Sequence, residues 1–258
     1  MNKILVAIPC YNCEKQLPRV LKKIQASLSS LVAEVLIVDN QSKDGTLKAA
    51  QQFLDENKTA LKTTLLRNDR NYGLGGSHKV AFNYALQNGF DYVGIIHGDD
   101  QAEPQEFCDL AKAAEKDPSL DAVLGSRFML SSTLKGYSKV RILGNLALNC
   151  LYSLASMDAV KDLGSGINLF KTAPLKDGLY LGFSDQFTFN MDLLLYYQHF
   201  RKKILFYPIT WKEEDQVSNA RNFSVGVQAL KTLKSWKLGE AKTSHDKKPS
   251  QYSSTQIK

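Results

Sequence analysis

The feature that most constrains the fold is an alternation, in the first half of the chain, between short apolar runs and longer segments with helical spacing. Between the runs, apolar side chains recur every three or four positions, as at residues 17, 20, 21, 24 and 28. The runs themselves lie at residues 4–8, 35–38 and 92–96, and residues 63–66, two threonines followed by two leucines, predict a further strand. This order predicts an α/β fold, with a mostly parallel central sheet and helices on both faces.

The second half is less regular. Residues 121–125 predict another strand, residues 130–140 a polar loop and residues 142–154 a helix. A strand from Leu205 to Trp211 is expected at a sheet edge, because Pro208 cannot donate a hydrogen bond to a neighbouring strand. We therefore expect one folded domain over residues 1–220, followed by a helix over 221–239 and a disordered tail over 240–258.

The positive charge is concentrated near the end of the sequence. The net charge is +7, and the residues from Arg221 onward carry eight basic and two acidic side chains. A nucleic-acid-binding domain needs its basic patch on the folded body, so no nucleic-acid partner is expected. The 16 uncharged residues 142–157 are too few and too polar for a membrane span. The N-terminal residues are typical of a first strand rather than a signal peptide, which predicts a cytoplasmic protein.

The helix expected over 221–239 has two interpretations. Three lysines lie beside its apolar positions, which are Phe223, Val227, Leu230 and Leu233. The helix either packs on the sheet with a solvated basic edge or rests on an anionic membrane surface, where lysines and Trp236 favour the interface. A peripheral membrane contact through 221–239 is therefore an open alternative.

Polar clusters follow three of the predicted strands, at residues 9–14, 39–46 and 97–104. In parallel sheets, ligands bind beyond the carboxyl ends of the strands. The adjacent carboxylates Asp99 and Asp100 are best tolerated beside a cation, and oxygen ligands favour Mg²⁺ or Mn²⁺ together with substrate phosphates. Helix capping is the alternative role for Asp44 and Asp100, and an Asx turn for Asp39.

Several other classes lack their motifs. The glycine-rich turn at residues 71–76 does not follow the dinucleotide fingerprint, and no P-loop, nucleophile elbow or zinc-protease motif is present. A nucleotidyltransferase needs a basic glycine-rich loop after the first strand, and residues 9–14 are not one.

Four motifs in order resemble the family-2 nucleotide-sugar glycosyltransferases, which have the GT-A fold. They are IPCYN at 8–12, VDNQSKDGT at 38–46, NYGLG at 71–75 and HGDDQAEP at 97–104. Residues 124–128 and 162–166 are similar to the dolichyl-phosphate mannose synthase branch, and the resemblance covers about residues 1–220.

The resemblance implies a role for each matching residue. Asp99 and His97 would hold Mn²⁺ or Mg²⁺, and Asp162 would be the general base, with Glu213 and Glu214 as alternatives on a later loop. The residues implied to bind the nucleotide sugar are Pro9, Tyr11, Glu14, Asp39, Asn71, Gly75, Gln101 and Arg127.

Three positions depart from the family pattern. His97 replaces the first carboxylate of the metal motif, so Asp99 acts either with His97 or with Asp100. Asn40 replaces a second aspartate, and acidic residues at 213–215 stand where the branch has a basic residue.

The predicted function is metal-dependent transfer of one sugar from a nucleotide-diphosphate donor, with the inversion that the resemblance implies. A UDP-sugar is favoured as donor, with GDP-mannose second. The acceptor is a lipid-linked saccharide, a polyprenyl phosphate or a precursor of a cell-envelope polysaccharide. A non-catalytic nucleotide-sugar-binding protein is the alternative, because the first metal carboxylate is missing.

Overall fold

The computed structural model describes residues 2–58, 60–215, 222–239 and 249–258. The α-helices in these ranges are α1 (Leu17–Leu28), α2 (Thr46–Glu56), α3 (Gly73–Gln87), α4 (Phe107–Lys116), α5 (Lys139–Ser156), α6 (Phe189–His199) and α7 (Asn222–Leu238). The strands are β1 (Ile4–Cys10), β2 (Glu34–Asp39), β3 (Thr63–Asn68), β4 (Tyr92–Ile96), β5 (Ala122–Ser126), β6 (Thr133–Lys135), β7 (Ile167–Lys171), β8 (Ile204–Pro208), β9 (Thr210–Lys212) and β10 (Ser254–Gln256).

Eight strands form one sheet in the order β10-β3-β2-β1-β4-β7-β5-β8, and β6 pairs with β9 in a separate ribbon. Strands β1 to β4 run parallel, as do β5 and β8, whereas β7 is antiparallel to both of its neighbours and β10 is antiparallel to β3. The chain steps outward from β1 to β3 and returns to β4 on the other side of β1. Such a reversal opens a crevice at the carboxyl ends of the strands. The predicted α/β architecture is confirmed.

The sheet is buried on both faces. Leu5 and Ala7 of β1 join a core that includes residues of α3, α5, α6 and α7, whereas Val6 and Ile8 join a second core with residues of α1, α2 and α4. Because side chains alternate along a strand and both faces are covered, β1 consists of one continuous apolar run. Each such fully buried aliphatic side chain contributes about 1.5–3 kcal/mol to stability.

Strand β7 and helix α6 are absent from the sequence prediction. Helix α6 is buried nearly all round, so it has no polar face to produce a helical pattern. Strand β7 inserts between β4 and β5, and its pairing with both decides its place. The edge strand predicted around Pro208 divides into β8, at the edge of the large sheet, and β9.

The expectation of a disordered tail is wrong for residues 249–258. Strand β10 pairs with β3, with Thr255 opposite Arg67. The buried Tyr252 hydroxyl donates to Asp185 Oδ1 (2.7 Å) and accepts from Lys79 Nζ (3.0 Å). Edge pairing and one anchored aromatic side chain order a segment whose composition alone indicates disorder. Residues 240–248 lie outside the described residues.

Helix α7 packs against α5 and α6, and of its predicted apolar positions with a described side chain only Leu233 is buried. Its buried side chains are Ala229, Leu233 and Trp236, whereas Val227 and Leu230 are exposed. Trp236 donates from Nε1 to Asp192 Oδ1 at 2.9 Å, so it is a core residue rather than a membrane anchor. The side chain of Phe223 lies outside the described residues. Among the helices described, none combines the length and apolarity needed to cross a bilayer.

Candidate active site

A cleft of about 980 Å³ opens at the carboxyl ends of β1 and β4, where the strand order reverses. Residues that follow β1, β2, β4 and β5 form its polar part, whereas α5 and α7 supply an apolar wall. The cleft therefore combines groups suited to phosphates with a surface suited to hydrocarbon.

The turn after β1 brings two predicted residues to the cleft and turns a third away. Pro9 and Tyr11 line the cleft. Glu14 does not, because its carboxylate accepts a hydrogen bond from the Gly45 backbone N–H (3.2 Å) at the start of α2. The position of Glu14 is better explained by this contact than by nucleotide binding.

The end of β2 is buried beside the cleft rather than on its wall. Asp39 is 1% exposed, and its Oδ1 accepts from the Ser42 N–H (3.3 Å), three residues further along the chain. Its Oδ2 lies 3.6 Å from Arg67 Nε and has no hydrogen-bond partner among the described residues. Asp44 accepts from the Thr46 N–H (3.0 Å) and the Glu14 N–H (3.2 Å), but Gly45 is the N-cap of α2, so these bonds order the turn before the helix rather than cap it.

Asn40 joins the end of β2 to the glycine-rich turn. Its Nδ2 donates to Asn71 Oδ1 (3.0 Å), and its Oδ1 accepts from the Tyr72 N–H (2.9 Å). Asn40 and Asn71 both line the cleft. A second aspartate at position 40 would lack the amide donor, so this departure from the family pattern has a structural purpose. Gly75, in contrast, does not line the cleft. It packs against the Ser184 backbone, where no side chain would fit.

The end of β4 presents three donor groups to the cleft: His97, Asp99 and Gln101. Burial raises the pKa of the Asp99 carboxyl and lowers the pKa of His97, which favours a neutral imidazole. Asp100 faces away, and its carboxylate contacts Arg19 (2.6 Å) and Lys23 (2.8 Å). The geometry therefore favours His97 over Asp100 as the partner of Asp99, because the Asp100 carboxylate is paired with two cations of helix α1.

The donor set at the end of β4 fits a divalent cation only if the substrate completes the coordination. No group of three or more His, Cys, Asp or Glu side chains that could hold a metal occurs in the described part of the chain. One carboxylate, one amide oxygen and His97 Nε2, which is buried without a hydrogen-bond partner, are nonetheless available. Mg²⁺ and Mn²⁺ sites with few protein ligands take the rest from substrate phosphates.

Asp162 forms an ion pair with Arg127. Its carboxylate accepts from the Arg127 N–H (2.9 Å), Nε (2.8 Å) and Nη2 (2.8 Å), and from the Gly164 N–H (3.1 Å). The Asp162 side chain is 1% exposed and does not line the cleft, whereas Arg127 does. Both carboxylate oxygens are therefore occupied by donors, and neither faces the cleft. The geometry therefore favours Asp162 as the residue that orients Arg127.

A second arginine, Arg141 on α5, also lines the cleft, and the sequence prediction missed it. Its guanidinium donates to both carboxylate oxygens of Glu213 (2.5 and 2.7 Å) and lies 4.2 Å from the Tyr137 ring centre. Glu213 is thus paired behind the arginine, and Glu214 is exposed outside the cleft. Among the described residues, Asp99 is the single acidic residue that lines the cleft.

Aromatic and apolar lining residues were also missed, because no local motif identifies them. The Trp211 ring lies 5.1 Å from the Arg127 guanidinium, which it holds by a cation–π contact. The main side chains of the apolar wall are Val140, Leu148, Phe187, Val225, Val227 and Leu230.

Comparisons with known proteins agree with this geometry. The sequence model of glycosyl transferase family 2 matches residues 5–168. A UDP-N-acetylglucosamine–dolichyl-phosphate N-acetylglucosaminyltransferase of Methanococcus voltae is 27% identical over 67% of this chain and 71% of its own. An undecaprenyl-phosphate mannosyltransferase of Micrococcus luteus is 24% identical over 92% of this chain and 94% of its own.

A solved structure shares the fold. Glucosyl-3-phosphoglycerate synthase of Mycobacterium tuberculosis, in complex with Mn²⁺, UDP-glucose and phosphoglyceric acid, aligns with a TM-score of 0.63 and 14% identity. The alignment covers 92% of this chain and 80% of the synthase. With the family match over more than half of the sequence, these findings show that the chain is a glycosyltransferase and belongs to glycosyl transferase family 2.

Proposed function

We propose that the protein transfers a sugar, with inversion, from a UDP-sugar to the phosphate of a polyprenyl phosphate, using a divalent cation. One observation carries this proposal: each candidate base either is paired with an arginine or lies outside the cleft.

An acceptor hydroxyl must lose a proton when it attacks a sugar, and a nearby carboxylate normally takes that proton. Asp162 and Glu213 are held by guanidinium groups, and Glu214 is outside the cleft. Asp99 stands at the position suited to the cation. Residues 216–221, outside the described residues, include no acidic residue. An acceptor phosphate needs no base, because its oxygen already carries negative charge.

The two arginines and the apolar wall suit the two ends of such an acceptor. Arg127 and Arg141 line the same cleft, and guanidinium groups bind phosphate with charge-assisted hydrogen bonds. The wall from α5 and α7 offers apolar side chains for an isoprenoid chain. A relative whose name specifies dolichyl phosphate and another whose name specifies undecaprenyl phosphate support this acceptor class.

The donor side rests on the motifs after β1, β2 and β4. Pro9, Tyr11 and Asn71 line the cleft at the expected place for the nucleotide, and Asp39 remains a proposed contact for the base. Asp99, Gln101 and His97 would hold Mn²⁺ or Mg²⁺, which would neutralise charge on the leaving diphosphate. The name of the M. voltae relative specifies a UDP-sugar, and the M. tuberculosis structure contains UDP-glucose. Both support a UDP-sugar rather than a GDP-sugar as the donor.

In the proposed reaction, an acceptor phosphate oxygen attacks the anomeric carbon from the face opposite the leaving UDP. A new carbon–oxygen bond forms while the bond from the anomeric carbon to the diphosphate oxygen breaks, and its electron pair leaves with UDP. Arg127 and Arg141 orient the attacking phosphate, and the apolar wall excludes water that would compete for the sugar.

The test uses a water-soluble, short-chain isoprenyl phosphate, so that no membrane is needed. With Mn²⁺ and a panel of UDP- and GDP-sugars, we expect transfer to this phosphate and none to the matching isoprenol. Arg141→Met should raise the KM for the phosphate at least tenfold while Kd for UDP changes little. Equal transfer to the isoprenol or to a saccharide hydroxyl would overturn the acceptor proposal.

We also propose that the reaction takes place on the cytoplasmic side of a membrane. A contact through residues 221–239 is supported by the exposed face of α7, which combines Lys231, Lys234 and Lys237 with Val227 and Leu230. Arg221 lies outside the described residues.

A further inference from the structure

Helix α5 is built with its apolar side toward solvent. Val140, Leu143, Leu151 and Leu154 are 78%, 68%, 40% and 73% exposed. Leu146 (42% exposed), Gly144, Ala147 and Cys150 are exposed too. At 100° per residue, these eight positions share one side of the helix, and at one edge of that side Val140 and Gly144 also line the cleft. We call this side the α5 outer face.

The polar residues of α5 lie on the opposite side, toward the protein. Asn149 and Tyr152 are buried, with Asn149 Nδ2 donating to the Lys161 carbonyl (2.9 Å) and Tyr152 Oη to the Ala229 carbonyl (2.7 Å). Arg141 and Asn145 line the cleft. A surface helix ordinarily buries its apolar stripe and exposes its charges. In α5 the apolar side is exposed instead, so we infer that a lipid layer or an apolar protein surface covers the outer face.

The outer face carries no charge, but basic residues surround it. No charged residue occurs from Ile142 to Met157. Lys139, the first residue of α5, is exposed, and further exposed lysines lie before and after the helix, at Lys135 and Lys161. Exposed acidic residues are fewer, with Asp158 directly after the helix. Helix α7, which packs against α5, adds three exposed lysines on its own outward side, at 231, 234 and 237.

We propose that the α5 outer face is a membrane-docking surface that inserts its leucines among the acyl chains of an anionic leaflet, flanked by lysines at headgroup level. The outer face runs from Val140 to Leu154, about 21 Å along the 18-residue helix, which suits a helix lying in the interface. A second copy of the chain could also cover the outer face, but a dimer formed through this face would bring the lysines of the two copies together. Anionic lipid satisfies both the apolar face and the positive charge.

The proposal changes which helix makes the principal contact. Helix α7 buries its tryptophan in the core and offers mainly charge, whereas α5 offers the apolar area. Both helices also line the cleft, so docking through α5 would bring the cleft mouth to the bilayer. The inference rests on the exposed surface and holds whatever acceptor the enzyme uses.

The test is flotation of the full-length protein with vesicles of phosphatidylcholine alone or with 30% phosphatidylglycerol. We expect wild type to bind the anionic vesicles and Leu143→Glu/Leu154→Glu to bind at least tenfold more weakly at low and high salt. Lys231→Glu/Lys234→Glu should weaken binding mainly at low salt. Leu205→Glu, an exposed apolar position on strand β8 at the sheet edge, is the matched control and should bind as wild type does.

Two results would overturn the proposal: absence of wild-type binding to anionic vesicles, or undiminished binding by the double leucine variant. A wild-type dimer in analytical ultracentrifugation that Leu143→Glu dissociates would instead assign the face to a second copy. Neither leucine lines the cleft, so transfer to the soluble short-chain phosphate should be unchanged in the double variant. This separates a failure of membrane docking from a failure of the proposed reaction.

Discussion

Replacing Asp162 with asparagine should lower both the stability and the transfer rate of the enzyme. The Arg127 and Asp162 side chains are 10% and 1% exposed, so the ion pair between them is largely shielded from water. Asparagine keeps the shape and one acceptor oxygen but removes the charge. The Arg127 guanidinium, whose pKa the Asp162 carboxylate raises, would then be a buried cation without a counter-ion.

The magnitude follows from this burial. Removing one partner of a buried ion pair costs about 3–5 kcal/mol, and we expect about 3 kcal/mol because the asparagine oxygen still accepts hydrogen bonds. For a domain of this size, that corresponds to a decrease in Tm of about 6–12 °C. Asp109→Asn, which breaks an exposed ion pair with Lys112 (3.2 Å), should cost less than about 1 kcal/mol.

Urea and thermal unfolding of wild type, Asp162→Asn and Asp109→Asn provide the stability comparison, and single-turnover kinetics with saturating donor provide the rate. If Asp162 orients Arg127, the variant loses stability and its KM for the acceptor increases. An unchanged Tm combined with a large loss of kcat, and loss of the acidic limb of the pH–rate profile, would show instead that Asp162 is the general base.

Four further changes test other parts of the structure. Asp99→Ala should lower turnover by about a thousandfold, and near-normal turnover during Mn²⁺ titration would refute its assignment. Asp39→Ala should weaken UDP binding by about 1–3 kcal/mol in calorimetry, whereas equal affinities would make Asp39 structural. Burial lowers the pKa of His78 well below its usual value, so at acidic pH the unfolded chain binds a proton that the folded chain does not. The free energy of unfolding should therefore decrease as the pH drops below about 6.5, by up to about 1.4 kcal/mol per pH unit. His78→Phe should flatten this slope in urea melts between pH 5 and 7.5, and an unchanged slope would contradict the reasoning. Tyr252→Phe, which removes the hydroxyl between Lys79 and Asp185, should cost about 1–2 kcal/mol in the same melts, whereas no loss would mean that this hydroxyl adds no stability.

Local patterns were sufficient to predict the core of the sheet. The first four strands are largely buried on both faces, so each contains consecutive apolar residues and ends at a polar turn. For the same reason, the positions that follow β1 and β4 could be identified as cleft residues, and Pro9, Tyr11, Asp99 and Gln101 do line the cleft. Strand order and the identity of the partners of β7 and β10 were not available from these patterns.

The roles of the acidic residues depended on contacts between distant parts of the chain. Asp162 pairs with Arg127, 35 residues earlier, and Glu213 with Arg141, 72 residues earlier. A carboxylate in a sequence does not reveal whether its charge is free or neutralised, because the free energy of a charge depends on its three-dimensional neighbours.

Helix α5 illustrates the same distinction between what the local sequence determines and what the tertiary structure decides. Its sequence by itself determined a helix with one apolar and one polar side, since helical periodicity is a property of the local chain. Which side meets water was decided only by the tertiary structure, where the cleft and the Lys161 carbonyl take the polar residues inward. Periodicity defines the two faces of a helix, but the surfaces that surround the helix determine which face is buried.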